Sequence, residues 1–179
     1  MDINSILCDS QYGFWEKHST EHALIDIVNQ VQSHFDEGML FCGVFIDLKK
    51  AFDTIDHYML LQKLYHYGNR GIINDLFHSY LIERVPSTLI GSKVSTKLPT
   101  ACGVPQGSVL GPLLFFLYVN DLCRSSDKLP FYSFADDTNL LYADRDTNSL
   151  ERVVNAELSK VQEWLVANKL TLNAKSRIL

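Results

Sequence analysis

Hydrophobic positions with helical or strand spacing follow one another along the first fifty residues of the chain. An apolar stripe of helical period begins after Ser19 or Thr20, either of which can cap a helix, and Gly38 can end it. The uninterrupted apolar run Phe41–Ile46 has the length of a strand, and predicts a central strand covered on both faces. The residues expected on the inward face of the helix are Leu24, Ile27, Val28, Val31 and Phe35.

The middle of the chain predicts two helices followed by a hairpin. Asp56 can cap the first of these helices and Gly68 can end it, and the second is expected over 72–81. Apolar segments on both sides of Gly91-Ser92 predict a two-residue β-turn. The predicted strands of this hairpin are Val85–Ile90 and Val94–Leu98.

The last part of the chain predicts an apolar helix, short strands and a long amphipathic helix. The apolar helix is expected to end near Asn120, and Asn148 with Glu151 has the spacing of a capping box at the start of the long helix. Together the elements predict an α+β fold, in which a small, mainly antiparallel sheet has helices on one side and no linker divides the chain. The expected strands are Phe131–Phe134, Leu140–Tyr142 and Leu170–Leu172.

The composition is that of a globular domain. The chain has 179 residues, of which 46% are hydrophobic and 21% charged, so it can bury a core. A net charge of -5 disfavours a highly basic protein that coats nucleic acid non-specifically. No C-x-x-C pair, targeting segment or membrane span is evident, so we expect an intracellular protein with reduced thiols. The cysteines are Cys8, Cys42, Cys102 and Cys123.

Aspartates at two predicted strand ends suggest a metal site. Asp136 and Asp137 lie at a predicted hairpin tip, where two carboxylates repel each other at a cost that a divalent cation relieves. A solvated turn is the alternative, because Asp is a common turn residue. Asp47 directly follows the predicted central strand, and its alternative role is a helix N-cap. Three carboxylates from two strands can hold two metal ions roughly 3.5–4 Å apart.

A loop rich in glycine and proline precedes the apolar helix. Glycines in Gly103-Val-Pro-Gln-Gly-Ser108 permit the backbone to approach a ligand closely. Gln106 offers a side-chain amide at the start of a helix, where phosphate is favoured. A plain loop followed by a kinked core helix is the alternative interpretation.

Three motifs in one order resemble the reverse transcriptases of non-LTR (LINE-type) retrotransposons. They are Phe45-Ile-Asp47-Leu-Lys-Lys-Ala-Phe52-Asp53, then Gly103-Val-Pro-Gln-Gly-Ser-Val-Leu-Gly-Pro112, then Phe134-Ala-Asp-Asp137. The resemblance extends from about Gln11 to the C-terminus. It implies one domain over 1–179 with the right-hand polymerase palm and partial fingers, and without a thumb.

The resemblance also implies RNA-directed DNA polymerisation with an RNA template, a DNA primer, dNTPs and two Mg²⁺ or Mn²⁺ ions. Asp47, Asp136 and Asp137 are implied to be catalytic, and Phe52 is implied to exclude a ribose 2′-hydroxyl. The implied metal-binding residues are Asp47, Leu48, Asp136 and Asp137. The implied nucleotide-binding residues are Phe52, Pro105, Gln106, Gly107 and, in the segment from Leu172 to Ser176, Lys175.

One departure from the family pattern leaves a second hypothesis open. Gln11-Tyr-Gly-Phe14-Trp15 resembles a fingers motif in which many relatives carry arginine where Trp15 stands, and tryptophan cannot neutralise a triphosphate. With the expected lack of a thumb, this favours an inactive palm remnant that acts as a binding or interaction module. A nucleotide cyclase is disfavoured by the Pro-Gln-Gly loop. The histidines predict no zinc site, and His57, His66 and His78 are expected on helix surfaces.

Overall fold

A computed structural model describes most of the chain and divides it into two compact units. The described residues are 8, 11–13, 19–82, 89–95, 100–105, 107–173 and 177–178. One unit, the helical unit, is built on Phe52–Tyr118, and the other, the sheet unit, comprises Leu7–Ala51 and Val119–Leu179. That residues 1–179 act as a single reverse transcriptase domain stays a prediction.

The regular elements of the described residues are five helices and six strands. The helices are α1 (Thr20–Asp36), α2 (His57–His66), α3 (Ile72–Ile82), α4 (Leu110–Val119) and α5 (Thr147–Ala167). The strands are β1 (Leu40–Ile46), β2 (Leu89–Ile90), β3 (Lys93–Val94), β4 (Phe131–Phe134), β5 (Asp137–Asp144) and β6 (Arg177–Ile178). Two short 3₁₀ turns occupy Ala51–Asp53 and Asn120–Arg124. No helix in the described residues combines the length and apolarity needed to cross a membrane.

The sheet unit contains a four-stranded antiparallel sheet in the order β4-β5-β1-β6. β1 lies between two partners, so the prediction of a central strand is confirmed. Phe45 is 40% exposed, however, so β1 is not covered on both faces along its whole length. β5 begins at Asp137, and is therefore longer than the predicted strand Leu140–Tyr142. In place of the predicted strand Leu170–Leu172 there is only a single bridge, from Leu172 to Leu48.

Helix α1 begins as predicted but turns a different face inward. The Ser19 hydroxyl accepts the His22 N–H at 3.2 Å, and α1 packs against β1 and β4. Ala23 is buried, whereas Leu24 is 62% exposed. The stripe that contains residue 23 therefore faces inward, and the stripe that contains Leu24 faces outward. Of the predicted inward residues, Leu24, Val28 and Phe35 are exposed, and Ile27 and Val31 are half-buried.

Helix α5, the long amphipathic helix predicted from the sequence, packs against β1 and β5. Its side chains Val154, Val161 and Leu165 are buried. The predicted capping box is wrong, because the cap is Asp146, whose carboxylate accepts the Ser149 N–H at 2.8 Å. Asp146 precedes the helix by one residue, where the Asp side chain reaches the orphan amides of the first turn.

The helical unit also follows its sequence signals. The Asp56 carboxylate caps α2 by accepting the Met59 N–H at 3.0 Å, and Leu60 and Leu64 are buried beneath it. The predicted β-turn at Gly91-Ser92 joins β2 to β3. His57 is buried rather than on the helix surface, because its Nε2 lies 2.7 Å from the Gly103 carbonyl oxygen.

Two of the four cysteines form a disulfide, so the prediction of reduced thiols is wrong for Cys8 and Cys123. The Cys8 N–H donates to the Asn120 side-chain oxygen at 2.8 Å, which brings Cys8 to the 3₁₀ turn that carries Cys123. The two cysteines are 115 residues apart, so no spacing rule could pair them. Cys42 and Cys102 are free thiols.

Candidate active site

The sheet unit brings three aspartates to one end of two neighbouring strands. Phe134 pairs with Asp137, so Ala135 and Asp136 form a two-residue turn between β4 and β5. Ile46 at the end of β1 pairs with Thr138 of β5. Because the register is antiparallel, Asp47 lies beside Asp137 at the same end of the sheet. The three predicted catalytic acids therefore lie at one end of the sheet.

The carboxylates at this end of the sheet affect one another electrostatically. Partial removal from water raises the pKa of Asp137, and the negative charges of Asp136 and Asp47 raise it further. Each of these causes disfavours the ionised form of the carboxyl group. A bound proton or cation would therefore be favoured here.

Asp47 is held by a residue from the far end of the chain. The Asn173 side-chain amide donates to a carboxylate oxygen of Asp47 at 2.9 Å, and the Asn173 N–H donates to the Asp47 carbonyl at 2.8 Å. Asp47 does not cap a helix, because Leu48 forms a strand bridge and residues 49–50 form a turn. The N-cap alternative is therefore wrong, and Asn173 is a site residue that the sequence analysis did not identify as one.

The turn itself has an uncommon backbone. Ala135 has φ 56, in the left-handed region, which costs a non-glycine residue roughly 1–2 kcal/mol. On either side of the turn, the hydroxyls of Ser133 and Thr138 lie 3.2 Å apart and share a hydrogen bond. Strained conformations that the surrounding structure maintains are found often at functional sites.

The donor set suits a hard divalent cation. Carboxylate oxygens are the ligands that Mg²⁺ takes in proteins, and Asp47, Asp136 and Asp137 supply them. Leu48 is buried and has an apolar side chain, so only its backbone carbonyl offers a donor atom. Nowhere in the described ranges are three His, Cys, Asp or Glu side chains already close enough together to hold one ion. The aspartates would have to draw together on metal binding.

The predicted nucleotide-binding residues that the structure describes lie in the helical unit. The Phe52 ring stacks on Phe115 with 4.6 Å between centroids, and the Phe52 carbonyl accepts the Val104 N–H at 2.8 Å. Gly103 has φ 89, and a Cβ there would lie 3.0 Å from the Asp53 carbonyl oxygen. The loop therefore lies directly against Phe52 and Asp53, which requires glycine at position 103.

The same loop runs past Pro105 into α4. The Pro105 carbonyl accepts the Ser108 hydroxyl at 2.7 Å, and a Cβ at Gly111 would lie 2.7 Å from that carbonyl oxygen. Gly107 is exposed and has φ 78. A cleft of about 480 Å³ adjoins this loop and is lined by Asp53, Leu81, Thr100, Cys102, Gly103, Val104 and Pro105. Gln106, Lys175, Phe14 and Trp15 lie outside the described residues.

Sequence comparison shows what the chain is similar to. The model of a family described as "Reverse transcriptase (RNA-dependent DNA polymerase)" matches residues 1–179. The chain is 31% identical to the probable RNA-directed DNA polymerase from transposon BS of Drosophila melanogaster, a match covering 99% of the chain and 20% of that protein. It is 27% identical to the polymerase from mobile element jockey of the same species, over 97% of the chain and 20% of the relative. The chain thus spans about a fifth of the length of these relatives.

Structural comparison supports the predicted fold. Apo telomerase from Candida tropicalis superposes with a TM-score of 0.70 at 12% identity, covering 95% of this chain and 33% of that one. Telomerase from Candida albicans, in complex with a fragment of telomeric RNA, gives 0.63 at 17% identity, with 90% and 30% covered. The α+β fold predicted from the sequence, a small antiparallel sheet with helices, is therefore confirmed.

Proposed function

The chain belongs to the reverse transcriptase (RNA-dependent DNA polymerase) family, and on that premise we propose that it carries the polymerase active site of a non-LTR retrotransposon. The reaction is addition of a dNTP to the 3′-hydroxyl of a DNA primer on an RNA template. One observation carries the proposal. The aspartates that the family resemblance implies to be catalytic meet at one end of β1 and β5, where the pKa of Asp137 is raised.

The residues of the sheet unit have distinct roles in this reaction. Asp47 and Asp136 would hold the catalytic cations, Asp137 would complete the acidic cluster, and Asn173 orients the Asp47 carboxylate. Two Mg²⁺ or Mn²⁺ ions held there would supply the charge that activates the attacking hydroxyl and neutralises the leaving pyrophosphate. The backbone of the β4–β5 turn keeps the two adjacent carboxylates at the end of the sheet.

Primer extension tests the proposal most directly. The assay uses an RNA template, a DNA primer, a single dNTP and Mn²⁺, with the protein in excess over primer–template. We expect addition of the first nucleotide, and at least about a 100-fold slower rate for Asp136→Asn, because one charged ligand of the metal site is lost. Asp144→Asn is the matched control, since it removes a carboxylate from the other end of the same strand. Equal rates for Asp136→Asn and the unmodified chain would contradict the proposal.

Sugar selection tests the role of Phe52. If its ring excludes the 2′-hydroxyl, Phe52→Val raises the incorporation of ribonucleotides relative to deoxyribonucleotides in the same assay. Phe35→Val, which changes an exposed ring on α1, is the control and leaves the ratio unchanged. An unaltered ratio for Phe52→Val argues against this role.

A second candidate function is a binding module without catalysis. It is favoured by the observation that no three potential metal ligands in the described part of the chain converge on one point. The extension assay distinguishes the two functions. A module of this kind binds RNA, adds no nucleotide, and is unaffected by Asp136→Asn.

A further inference from the structure

Gly13 lies directly against the turn that carries the paired aspartates. A Cβ built on Gly13 would lie 2.7 Å from the Ala135 amide nitrogen and 3.5 Å from the Ala135 Cα. The φ angle of Gly13 is not in the left-handed region, so the backbone conformation alone does not require glycine. Glycine is required here by the lack of space beside the turn.

The segment that carries Gly13 is fixed on its other side. Gln11 forms a parallel bridge with Ser133, and the Tyr12 N–H donates to the Ser133 carbonyl at 2.8 Å. The buried Gln11 side chain accepts the Gly13 N–H at 3.0 Å. Residues 11–13 therefore run alongside the last part of β4 and cannot shift away from the turn without breaking these bonds.

Tyr12 anchors the same segment to the sheet unit. Its ring stacks on Tyr132 with 6.3 Å between centroids, and its hydroxyl donates to the Asp26 carboxylate at 2.8 Å. Partial burial, together with this hydrogen bond, raises the pKa of Tyr12 to about 12, so the hydroxyl stays protonated and able to donate. Part of the motif that resembles a polymerase fingers motif thus supports the acidic turn.

We propose that Gly13 is a positioning residue, whose bare backbone determines where the Ala135–Asp136 turn holds the carboxylates of Asp136 and the adjoining Asp137 relative to Asp47. The Ala135 backbone is already strained at φ 56, and the turn has only two residues, so it cannot absorb a displacement locally. A methyl group at position 13 therefore moves Asp136 and Asp137 together. The proposal rests on the proposed function for its consequence, metal binding, but the displacement itself can be measured without metal.

The test compares Gly13→Ala with Gly43→Ala in the full chain. Gly43 is in β1 of the same unit, and the nearest atoms that a Cβ there would meet belong to side-chain rings, Phe45 at 3.3 Å and Phe41 at 3.6 Å, and not to the backbone. In the metal-free protein, we expect the backbone amide NMR signals of residues 135–137 to shift in Gly13→Ala and to stay in place in Gly43→Ala. In a titration with Mn²⁺ that is followed by the melting temperature, the Mn²⁺ concentration at half of the maximal shift rises about tenfold for Gly13→Ala. The reason is that an ångström-scale misplacement of ligand groups at a site is costly. A purely structural role would lower the melting temperature in EDTA and leave the midpoint unchanged.

A second variant covers the case in which Gly13→Ala does not fold. Gln11→Ala removes the acceptor of the Gly13 N–H without adding bulk, and we expect smaller shifts of the same three amide signals. Gln162→Ala is its control, because it makes the same substitution at an exposed position of α5 in the same unit. Unmoved signals at residues 135–137 in Gln11→Ala, and in Gly13→Ala if it folds, overturn the proposal. If the amide signals of residues 135–137 shift in these variants but the unmodified chain binds no Mn²⁺, the result supports the positioning role of Gly13. The same result contradicts the proposed polymerase function.

Discussion

The two ends of strand β5 carry the same residue type in opposite electrostatic surroundings. At one end, hydrogen bonds from the Ser149 side chain and the Asp146 N–H lower the pKa of Asp144. At the other end, loss of water and two neighbouring carboxylates raise the pKa of Asp137. The contrast shows that strand position and residue type do not determine the behaviour of an acid, because its neighbours do.

Glu157 on α5 extends the comparison to a buried acid. Its carboxylate accepts the Ser126 hydroxyl at 2.7 Å and the Lys160 ammonium at 3.0 Å, and these donors lower its pKa. Burial alone would act in the opposite direction. Glu157 and Asp144 thus accept hydrogen bonds from neighbouring protein groups. Asp136 and Asp137, by contrast, lie among like charges, as is common at functional sites.

The largest effect expected from this contrast is on metal binding. Mg²⁺ or Mn²⁺ should raise the melting temperature of the unmodified chain, by the equivalent of about 2.7 kcal/mol at a hundred times the dissociation constant. The double substitution Asp47→Asn and Asp136→Asn should abolish this shift, whereas Asp144→Asn should keep it. Equal stabilisation of the double variant by metal, measured by differential scanning fluorimetry, would rule out the site.

The next largest effect concerns Glu157 on α5, whose carboxylate accepts hydrogen bonds from neighbouring residues. Glu157→Ala leaves the buried Ser126 hydroxyl and the Asp127 N–H without their acceptor, and should lower the free energy of unfolding by about 1–3 kcal/mol. Asp127→Ala is the control, because its side chain is 87% exposed and its ion pair with Lys160 should contribute little. Urea denaturation measures both. A similar decrease in the free energy of unfolding for Glu157→Ala and Asp127→Ala would contradict the expected difference between the buried and the exposed acid.

The pH dependence of stability should have opposite signs at the two ends of β5. Because the folded-state pKa of Asp137 is raised, its contribution to stability is present at low pH and is lost as pH rises from about 3.8 through the raised value. The lowered pKa of Asp144 acts in reverse, since its contribution is present above about 3.8 and is lost as pH falls through the lowered value.

Melting curves between about pH 2.5 and 7, a range that includes the ordinary carboxyl pKa values, test these signs. Relative to the unmodified chain, Asp137→Asn should gain stability toward neutral pH, by only a few tenths of a kcal/mol because solvent screens the exposed side chain. Asp144→Asn should lose stability over the same range. If the stability difference from the unmodified chain changed with pH in the same direction in both variants, the two ends of β5 would not differ in electrostatic surroundings.

The last prediction concerns the turn backbone. Ala135→Gly removes the strain of φ 56 at some cost in chain entropy, and should stabilise the protein by about 0.5–1 kcal/mol. Lys169→Gly, at φ 55 after α5, is the matched control and should stabilise to a similar extent. Only Ala135→Gly should also weaken Mn²⁺ binding, because it loosens the acidic turn. If Ala135→Gly bound Mn²⁺ as tightly as the unmodified chain, the strained backbone at Ala135 would not contribute to metal binding.

Local signals predicted most of the elements of this fold. Ser19 and Asp56 cap helices as expected, since an N-cap acts within three residues along the chain. The apolar run ending at Ile46 forms the central strand, and the turn at Ala135–Asp136 joins two strands. Such features depend on neighbours in sequence, so the pattern of residue types contains them.

Predictions that needed knowledge of distant partners were less successful. Helix α1 packs against β1 and β4 with Ala23 buried, whereas the apolar stripe in the sequence favoured Leu24 and its neighbours as the inward residues. The disulfide of Cys8 with Cys123 could not be predicted from spacing. The periodicity of a helix identifies an apolar face, but the packing of the whole unit selects which residues on it are covered.

For the candidate site, the residue pattern was enough to identify the acids Asp47, Asp136 and Asp137 and to place them at strand ends. The groups that surround these acids come from distant parts of the chain and are known only from the fold. Asn173 reaches Asp47 across 126 residues, and Gly13 meets the Ala135 backbone across 122 positions of the numbered chain. Chemistry is a property of the side chain and can be recognised in a motif. Hydrogen bonding, crowding and like-charge repulsion depend on distance in space, which is established only when the chain folds.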